Sequence, residues 1–528
     1  MTPYNGPRWQ GGDDQRLNII RRDLSGGQNT RVQANSIKET QAVGMSNMDI
    51  TVPGQRKKRP GSVLIGNDIG AVQFEALFNY VIQGATDQLI GYTGSSIRAW
   101  SGSGNWAAGY KTNFTASQTD VGIIGAKESG NTPDDIVVVS NGTDNVFRFL
   151  PAGTAADLGD TNTSPPKTTV MAWYANRIWS LKNDLFYYSD AYASDYSAAF
   201  DRTTNSFRIP VGEERGIVPT RDLGMVVMGD EAIWALNPTS TPAATDKPVP
   251  LVTFVGCVSK NGWAMVGDDV YFFAQDGLRE LKRTVQDKLQ TGDSFPVSYA
   301  LKEEFEAISW AHIANLSMKY YDNKLFISVP TGAATFSTWV YYPSYNAFTV
   351  IDGWSPTCME TYKVSGEQRF YYGAQGDGVV YRGWYGRTDE GTTTTNGTAV
   401  TMIETGREED FGQPLTRKVG GEVEIEASTV GDDNSLTVEA RTDGGSWSTL
   451  GSVALQSTDA PTLPVALPFT LSDNFLIRDK LHLDSLGPFR TIQFRITNAD
   501  SNTEDVNIYG VNSITFPEQY ENEQRGKT

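Results

Sequence analysis

The chain has 528 residues and a formal net charge of −18 at pH 7, so non-specific attraction to a polyanion such as DNA is disfavoured. Hydrophobic residues make up 39% and aromatic residues 11% of the chain, which allows sizeable cores and excludes global disorder. Two cysteines and two histidines provide neither a disulfide framework nor the usual transition-metal ligand sets. The small number of histidines also disfavours catalysis that depends on histidine as a general base.

The first 70 residues are polar and irregular, and they lack the apolar stretch of a secretory signal. We therefore predict an N-terminal arm and platform segment over 1–70. A short basic run lies near its end. Four cations in an acidic chain are more typical of a solvated loop, or of a contact with an acidic neighbouring subunit, than of a nucleic-acid site. We predict an assembly interface at six residues: Arg56, Lys57, Lys58, Arg59, Pro60 and Gly61.

Short strand-like segments, separated by turns rich in Gly, Asn and Asp, dominate residues 71–395. Examples are IVVVS at 136–140, LFYYS at 185–189 and VYFFA at 270–274. The units end in hairpins whose second strand carries an aromatic residue, and they recur roughly every 35–55 residues. Repeats of this length with several strands each are typical of a β-propeller. The sequence thus predicts an all-β fold with a propeller over 71–395, of about five to seven blades.

One segment inside the predicted propeller has helical spacing. Leu301, Phe305 and Ile308 recur at i, i+4 and i+7, which places them on one face of a helix. Ser298 precedes them as a plausible N-cap. We therefore predict a helical insertion near 298–310.

The C-terminal part has a different pattern, with longer strands of alternating polarity. In GGEVEIEAS at 420–428, Val423 and Ile425 alternate with glutamates, as in a sheet with one solvated face. We predict a C-terminal β-sandwich or barrel over 396–516. The charged segment 517–528 is expected to be a flexible tail.

Three local patterns suggest chemistry, and each has a simpler interpretation. RTDGGSWSTL at 441–450 is similar to an Asp-box turn, but a type I′ hairpin turn at Asp443 and Gly444 explains it. The acidic turns at 267–269 and 376–378 lack the ligand series of an EF-hand. Carboxylate pairs for sugar hydrolysis are not excluded among 62 acids, although no pair stands out. We predict no catalytic residue, metal site or cofactor, and no membrane insertion.

Three stretches occur in a suggestive order. The first begins with Gly26-Gly27-x-Asn29, continues through Asn47, and ends at Arg59-Pro60-Gly61. The second runs from Gly256-Cys257 to Arg279, and the third is FRTIQFRI at 489–496. Together they resemble the tail nozzle proteins, also called tail hub or tubular protein B-like proteins, of short-tailed bacteriophages. The resemblance implies a structural role for ten residues of these motifs: Gly26, Gly27, Asn29, Asn47, Gly256, Asp269, Phe272, Phe273, Gly277 and Arg279.

The resemblance spans nearly the whole chain and is weakest in 70–250. It implies a virion structural protein, a subunit of a homohexameric ring that encloses the genome-ejection channel. Such a ring would connect the portal-adaptor proteins to tail fibres or spikes. It would lie in the virion tail after assembly in the host cytoplasm, and double-stranded DNA would pass through without specific binding. Because cationic walls would retain DNA, we expect a net acidic lumen.

On this interpretation the chain is not an enzyme. Two alternatives remain open. A propeller glycosidase or depolymerase would be favoured by Asp, Glu and Tyr clustered at the centre of the propeller. A receptor-binding fibre-base protein would be trimeric, so the mass of the assembly would distinguish it from a nozzle.

Overall fold

The computed structural model describes residues 17–21, 23–70, 72–112, 114, 118–151, 153, 155–238, 242, 246, 248–291, 294–392, 397–430, 434–455, 476–498 and 505–517. The chain divides into two compact units. The propeller unit is Pro60–Thr398, and the sandwich unit is Met1–Arg59 together with Ala399–Thr528. No helix among the described residues is long and apolar enough to cross a bilayer.

In the described part of the propeller unit, seven antiparallel sets of strands follow one another along the chain, here called blades 1 to 7. Strands rich in β-branched and aromatic residues pair through tight turns with positive φ, as at Asn183-Asp184 and Asp322-Asn323. Blade 1 contains Ala76–Tyr80, Gln88–Tyr92, Ile97–Trp100 and Ala107–Lys111; blade 2 contains Gly122–Lys127, Asp135–Ser140, Phe147–Phe149 and Ala155–Asp157; blade 3 contains Val170–Tyr174, Arg177–Lys182, Leu185–Tyr188 and Ser206–Arg208; blade 4 contains Glu214–Thr220, Gly224–Gly229, Ala232–Leu236 and Val249–Thr253; blade 5 contains Trp263–Val266, Asp269–Ala274 and Gly277–Glu280; blade 6 contains Ser317–Tyr321, Lys324–Pro330, Phe336–Tyr342 and Ala347–Ile351; blade 7 contains Pro356–Val364, Glu367–Ala374, Val380–Gly383 and Ser62–Ile65.

Blade 7 closes the ring with strands from both ends of the unit. Ser62–Ile65 pairs antiparallel with Val380–Gly383, and Ser62 lies opposite Gly383. Opening the ring would therefore require breaking a sheet. The predicted all-β propeller is confirmed. It begins at Pro60 rather than at residue 71, because the closing strand lies in the segment that the sequence assigned to the arm.

Apolar cores fill the spaces between consecutive blades. Phe272 packs with Val226 between blades 4 and 5. Phe273 packs with Trp339 between blades 5 and 6, with ring centroids 5.8 Å apart. Both phenylalanines are fully buried, because successive side chains of a strand point to opposite faces. Each face of blade 5 thus contributes to a different core.

The helices differ from the prediction. An α-helix, Leu281–Thr291, follows blade 5 where the other blades have a fourth strand. The predicted helix at 298–310 is wrong as a continuous element, because the structure has the 3₁₀ turn Val297–Ala300, the short α-helix Lys302–Glu306 and the 3₁₀ helix Trp310–Asn315. The Ser298 hydroxyl accepts the Leu278 N–H at 2.9 Å instead of capping a helix.

The described part of the sandwich unit contains two principal sheets. The inward residues Val423, Ile425, Leu436 and Val438 are fully buried. One sheet has the order Ile477–His482, Lys418–Val430, Asp505–Pro517, Arg56–Lys58 and Met48–Asp49, with Leu17–Arg21 also paired to Asp505–Pro517; the other has the order Gly44–Ser46, Met402–Thr405, Ile492–Asn498, Asn434–Thr442 and Ser448–Leu455. Short elements complete the described part of the chain: the parallel strands Gly27–Gln28 and Gln41–Ala42, the strands Thr388–Asp389 and Thr398–Ala399, and the 3₁₀ turn Asp484–Leu486.

The described N-terminal residues up to Arg59 are part of the sandwich unit rather than a separate arm. Leu17–Arg21 runs antiparallel to Asp505–Pro517, with Leu17 opposite Thr515. Arg56–Lys58 pairs with the same long strand. The predicted boundary at residue 70 therefore differs from the structure, because the polar N-terminal sequence forms short strands that pair with the long C-terminal strand Asp505–Pro517. The predicted tail at 517–528 lies outside the described residues except for Pro517.

Candidate functional site at the propeller axis

The first strand of each blade lies innermost, and those of blades 1, 2 and 3 contact one another in turn. Since these strands run in the same direction around the axis, the segments that precede them meet at one mouth of the axial tunnel. Glu75, Asp120, Thr169 and Lys260 all occupy such segments. The propeller thus brings together polar residues that are far apart in sequence.

Lys260 spans this mouth. Its Nζ donates hydrogen bonds to Asp120 Oδ2, before blade 2, and to Thr169 Oγ1, before blade 3, although Lys260 itself precedes blade 5. The neighbouring Asn261 carbonyl accepts the Met318 N–H of blade 6 at 2.9 Å, which fixes the loop. Lys260 and Asp120 are both partly exposed, so the ion pair contributes no more than about 1 kcal/mol.

A cavity of about 380 Å³ lies along the innermost strands of blades 1, 2, 5, 6 and 7. Lys319 of blade 6 forms an ion pair with Glu360 of blade 7 on its wall. Trp263, Met318 and Tyr320 add apolar and aromatic surface. The cavity is large enough for a small ligand. Both of the lysines that line it pair with carboxylates.

Two carboxylates near this wall raise the pKa of the same buried thiol. Burial, together with the nearby charges of Glu75 and Glu360, raises the pKa of the Cys358 thiol to about 12. Burial also raises the pKa of Glu75 to about 6, while a hydrogen bond from Gln73 Nε2, 2.9 Å from Glu75 Oε2, opposes that rise. Glu75 is therefore a carboxyl group that can hold a proton close to neutral pH, and both Glu75 and the lysine-paired Glu360 act electrostatically on Cys358.

Sequence reasoning selected none of these axial residues. They belong to no recognisable motif, and only their position directly before the first strand of a repeat distinguishes them. An exact register for the repeats would have been needed to find them.

The predicted interface residues Arg56, Lys58 and Arg59 are buried inside the sandwich unit. Arg56 NH1 lies 3.0 Å from Glu404 Oε1. Lys58 Nζ donates to Asn498 Oδ1 at 3.2 Å, and Arg59 Nε donates to Asn47 Oδ1 at 2.8 Å. These three cations are internal structural groups, so they do not form a surface patch. Buried charges must be paired, and the burial of these three side chains within one chain differs from the solvated loop or assembly interface that the sequence predicted.

The remaining residues of the run have other positions. Lys57 is partly buried, between Arg56 and Lys58 on the same strand. Pro60 and Gly61 begin the propeller unit. The Gly61 N–H donates to the Gly386 carbonyl at 3.0 Å, and a Cβ on Gly61 would lie 2.0 Å from the Thr388 carbonyl oxygen.

The glycines of the resemblance occupy positions that exclude a side chain. A Cβ on Gly26 would lie 2.7 Å from the Thr40 carbonyl oxygen, and one on Gly256 would lie 2.1 Å from the Gly229 carbonyl oxygen. Gly27 and Gly277 have φ of 68° and 126°. All four therefore require glycine for steric or conformational reasons.

The polar residues of the resemblance make local structural contacts. Asn29 Nδ2 donates to Gln41 Oε1 at 3.0 Å, and Asn47, at φ 57°, donates to the Thr401 carbonyl at 2.8 Å. Arg279 donates to Asp276 and, at 2.8 Å, to the Ser294 carbonyl. Phe272 and Phe273 fill interblade cores, as described above. None of these residues lies at the axial mouth.

Asp269 joins blade 5 to the helix that follows it. Its carboxylate accepts the Val270 N–H at 2.7 Å and the Lys282 N–H at 3.3 Å, so it caps helix Leu281–Thr291 from a different strand. Burial, together with repulsion from Glu280, raises the pKa of Asp269 to about 6. The acidic turn that contains Asp269 thus has a structural explanation.

The Asp-box-like segment forms a hairpin turn. Asp443 and Gly444 have φ of 50° and 70°, as a type I′ turn requires. The Asp443 carboxylate accepts the N–H groups of Arg490 and Thr491, each at 2.9 Å. Among the described residues, no group of three or more His, Cys, Asp and Glu side chains is arranged to hold a metal ion.

Comparison with known proteins gives likenesses of fold only. No family model and no curated protein matches the chain. Among solved structures, a glycoside hydrolase is 11% identical, covering 84% of this chain and 99% of its own, with a TM-score of 0.25. Trypanosoma rangeli sialidase is 9% identical, covering 88% and 96%, with a TM-score of 0.27. BBS1N from its complex with ARL6DN is 11% identical, covering 61% and 97%, with a TM-score of 0.27.

These matches contradict the prediction that the chain is not an enzyme, since glycoside hydrolases and a sialidase are among them. The physical reason for the error is that composition is a poor guide to carboxylate chemistry. Two acidic side chains suffice for glycoside hydrolysis, without histidine or cysteine. At 9–11% identity, however, no reaction or residue role carries over to this chain.

Proposed function

We propose that the chain is a structural subunit of the tail of a short-tailed bacteriophage, a nozzle whose copies form a ring around the path of the genome. The observation that carries this proposal is the geometry at the residues shared with such proteins. Gly26, Gly256 and Gly277 have surroundings or φ values that only glycine accommodates. A side chain at any of these three positions would clash with its surroundings or strain the backbone, so the glycines constrain the local fold.

Shared residues in the two units support a resemblance that covers the chain as a whole. Asn47 and Arg59 hydrogen-bond to each other in the sandwich unit. Arg279 and Asp276 form an ion pair that holds the segment after the helix of blade 5. Under this proposal the portal-adaptor proteins and the fibres or spikes are the partners. The genome would pass through the channel that the ring encloses. It would not pass through the axial tunnel of a single propeller, because Lys260 spans the mouth of that tunnel.

Native mass spectrometry of the purified full chain tests this proposal. A nozzle predicts a closed ring of about six copies, whereas a fibre base predicts three. A strictly monomeric protein at all accessible concentrations would contradict the proposal.

A second candidate function, a carbohydrate-active propeller, is favoured by the carboxylates near the axis. Glu75, with a pKa raised to about 6 by burial, has the property of a general acid. Glu360 forms an ion pair with Lys319 on the cavity wall. Glycoside hydrolysis uses two acidic side chains in different environments, one of which acts as the general acid.

Release of reducing ends from bacterial surface polysaccharides tests this second candidate. Activity that is lost in Glu75→Gln and Glu360→Gln but retained in Glu303→Gln, on an exposed short helix, would support it. Absence of release across a broad polysaccharide panel, or equal activity in all three variants, would exclude the assigned residues.

A further inference from the structure

Two side chains that can react with each other face one another inside the sandwich unit. Lys58 Nζ is 3.2 Å from Asn498 Oδ1. Lys58 is 1% exposed, and Asn498 is fully buried. Because a C=O bond is about 1.2 Å long, Nζ lies at most about 4.4 Å from the amide carbon of Asn498. An amine and a carboxamide are thus held close to the separation from which a bond can form.

The orientation of the Asn498 side chain is fixed by its neighbours. Its Nδ2 donates hydrogen bonds to Asn434 Oδ1 at 2.8 Å and to the Ser435 carbonyl at 3.0 Å. Since a backbone carbonyl can only accept, the atom beside Ser435 is the nitrogen and the atom that faces Lys58 is the oxygen. The amide nitrogen, which would be the leaving group, therefore has two acceptors of its own.

The strands place a second pair of side chains beside the first. Arg56 and Lys58 are alternate residues of one strand, so their side chains leave the same face of it. Met402 lies opposite Asn498 in the other sheet, so Glu404, two residues further along, shares the inward face with Asn498. Arg56 NH1 is 3.0 Å from Glu404 Oε1. The two pairs are thus neighbouring contacts between the two sheets of the sandwich.

One oxygen of Glu404 is available to accept a proton. Glu404 is buried, and its Oε2 has no hydrogen-bond partner among the described residues. A buried carboxylate oxygen without a donor is unfavourable, and a proton taken from a neighbouring amine relieves that cost. Burial also favours the neutral form of an amine, which is the nucleophilic form. The sandwich core thus holds a nucleophile, an amide carbon for it to attack and a proton acceptor, away from water.

We propose that Lys58 and Asn498 join in an intramolecular isopeptide bond. Lys58 Nζ, as the neutral amine, attacks the amide carbon of Asn498 and gives one proton to Glu404. The bond between that carbon and Nδ2 breaks, and Nδ2 leaves as ammonia with the proton that Glu404 returns. The product is a secondary amide, and the reaction consumes no oxidant, metal or cofactor.

The bond places the whole propeller unit inside one covalent loop of the chain. Lys58 precedes Pro60–Thr398, and Asn498 follows it. The cross-link joins the two sheets of the sandwich and restricts the unfolded chain. The inference goes beyond the proposed function and does not depend on it, because every contact it uses lies within the sandwich unit.

Mass spectrometry of the denatured full chain tests the bond. Loss of ammonia lowers the intact mass by about 17 Da, and trypsin should release a branched peptide in which Lys58 Nζ is joined to Asn498. Lys58→Met and Asn498→Leu should restore the mass of the sequence. Lys57→Met is the matched control, since Lys57 lies on the same strand but is only partly buried, and it should keep the bond.

The role of Glu404 is tested by the rate at which the branched peptide accumulates after synthesis. Glu404→Gln keeps the size of the side chain but removes the proton acceptor, so the peptide should accumulate about a hundredfold more slowly. Hydrogen exchange shows whether this variant is folded. Equal rates in the wild type and in folded Glu404→Gln would overturn the assigned proton acceptor.

Two results for the wild-type chain would overturn the bond itself. One is the full mass of the sequence in a folded chain. The other is the same loss of mass with Lys58 still cleaved by trypsin and no branched peptide, as a succinimide at Asn141-Gly142 would give. Because the wild-type chain is measured directly, the test does not depend on whether the variants fold.

Discussion

Removing the Arg56 guanidinium should destabilise the sandwich unit strongly. Arg56 is 1% exposed, its partner Glu404 is 3% exposed, and their charged atoms are 3.0 Å apart. Arg56→Met leaves the Glu404 carboxylate buried without its cation, which typically costs about 3–5 kcal/mol. For a unit of this size that loss lowers the thermal midpoint by about 10 °C.

The double variant Arg56→Met/Glu404→Leu removes both charges and keeps the volume. It should recover most of the lost stability, because a well-packed apolar pair can replace a buried ion pair at little or no cost. Lys57→Met is the matched control, since this side chain is only partly buried on the same strand. We expect a loss below about 1 kcal/mol for it.

Hydrogen exchange read by mass spectrometry locates the effect. Peptides covering Met402–Thr405 and Asp505–Pro517 should lose protection in Arg56→Met, because Arg56 contacts Glu404 and Ile508. Urea unfolding followed by exchange gives the free energy. Equal unfolding midpoints for Arg56→Met and Lys57→Met would refute the reasoning.

Three further predictions follow from the propeller unit. Asp269→Asn keeps the hydrogen-bond acceptor but removes a buried charge, so it should be more stable than wild type by roughly 1–2 kcal/mol above pH 7. The pKa of Asp269 in the folded chain, about 6, is raised above its value in the unfolded chain. The difference in stability between variant and wild type should therefore shrink as the pH falls from 6 to 4, because the wild-type carboxylate becomes protonated. Thermal unfolding across pH, with Asp269→Ala as the control that loses the cap, measures this. Phe272→Ala and Phe273→Ala should each cost about 3–5 kcal/mol in urea unfolding, and an unchanged midpoint would contradict the interblade cores. Lys260→Met should change stability by less than about 1 kcal/mol but speed hydrogen exchange at the start of Gly122–Lys127, and unchanged exchange would show that Lys260 does not hold the mouth closed.

The propeller was predictable because its signal is local and repeated. Strands such as Asp135–Ser140 and Lys324–Pro330 are short, β-branched and bounded by turn residues, so each repeat reports the same architecture independently. The closing strand Ser62–Ile65 was not predictable in this way. Its partner Val380–Gly383 lies more than 300 residues away, and nothing in its local sequence identifies that partner.

The helix of blade 5 shows why local periodicity was insufficient. Leu281 and Val285 have helical spacing, but the cap is the carboxylate of Asp269, which comes from a preceding strand. The spacing at 298–310 was equally helical. There the hydroxyl of Ser298 bonds to Leu278, and the segment breaks into three short pieces. Tertiary hydrogen bonds decided both outcomes.

The basic run shows the same limit for charge. Arg56, Lys58 and Arg59 look like a surface patch when the sequence is viewed alone, because lysine and arginine are mostly exposed. Their partners Glu404, Asn498 and Asn47 are spread over the whole chain. The axial residues Lys260 and Asp120 were missed for the same reason, since only the closed ring brings them together.

Immunogold electron microscopy of phage particles tests the central proposal most directly, with antibodies raised against the purified chain. The nozzle proposal predicts labelling confined to the tail, below the capsid vertex, and absent from particles that lack the gene for this chain. Labelling that is found only in the soluble fraction of the lysate, with unlabelled tails, would contradict it.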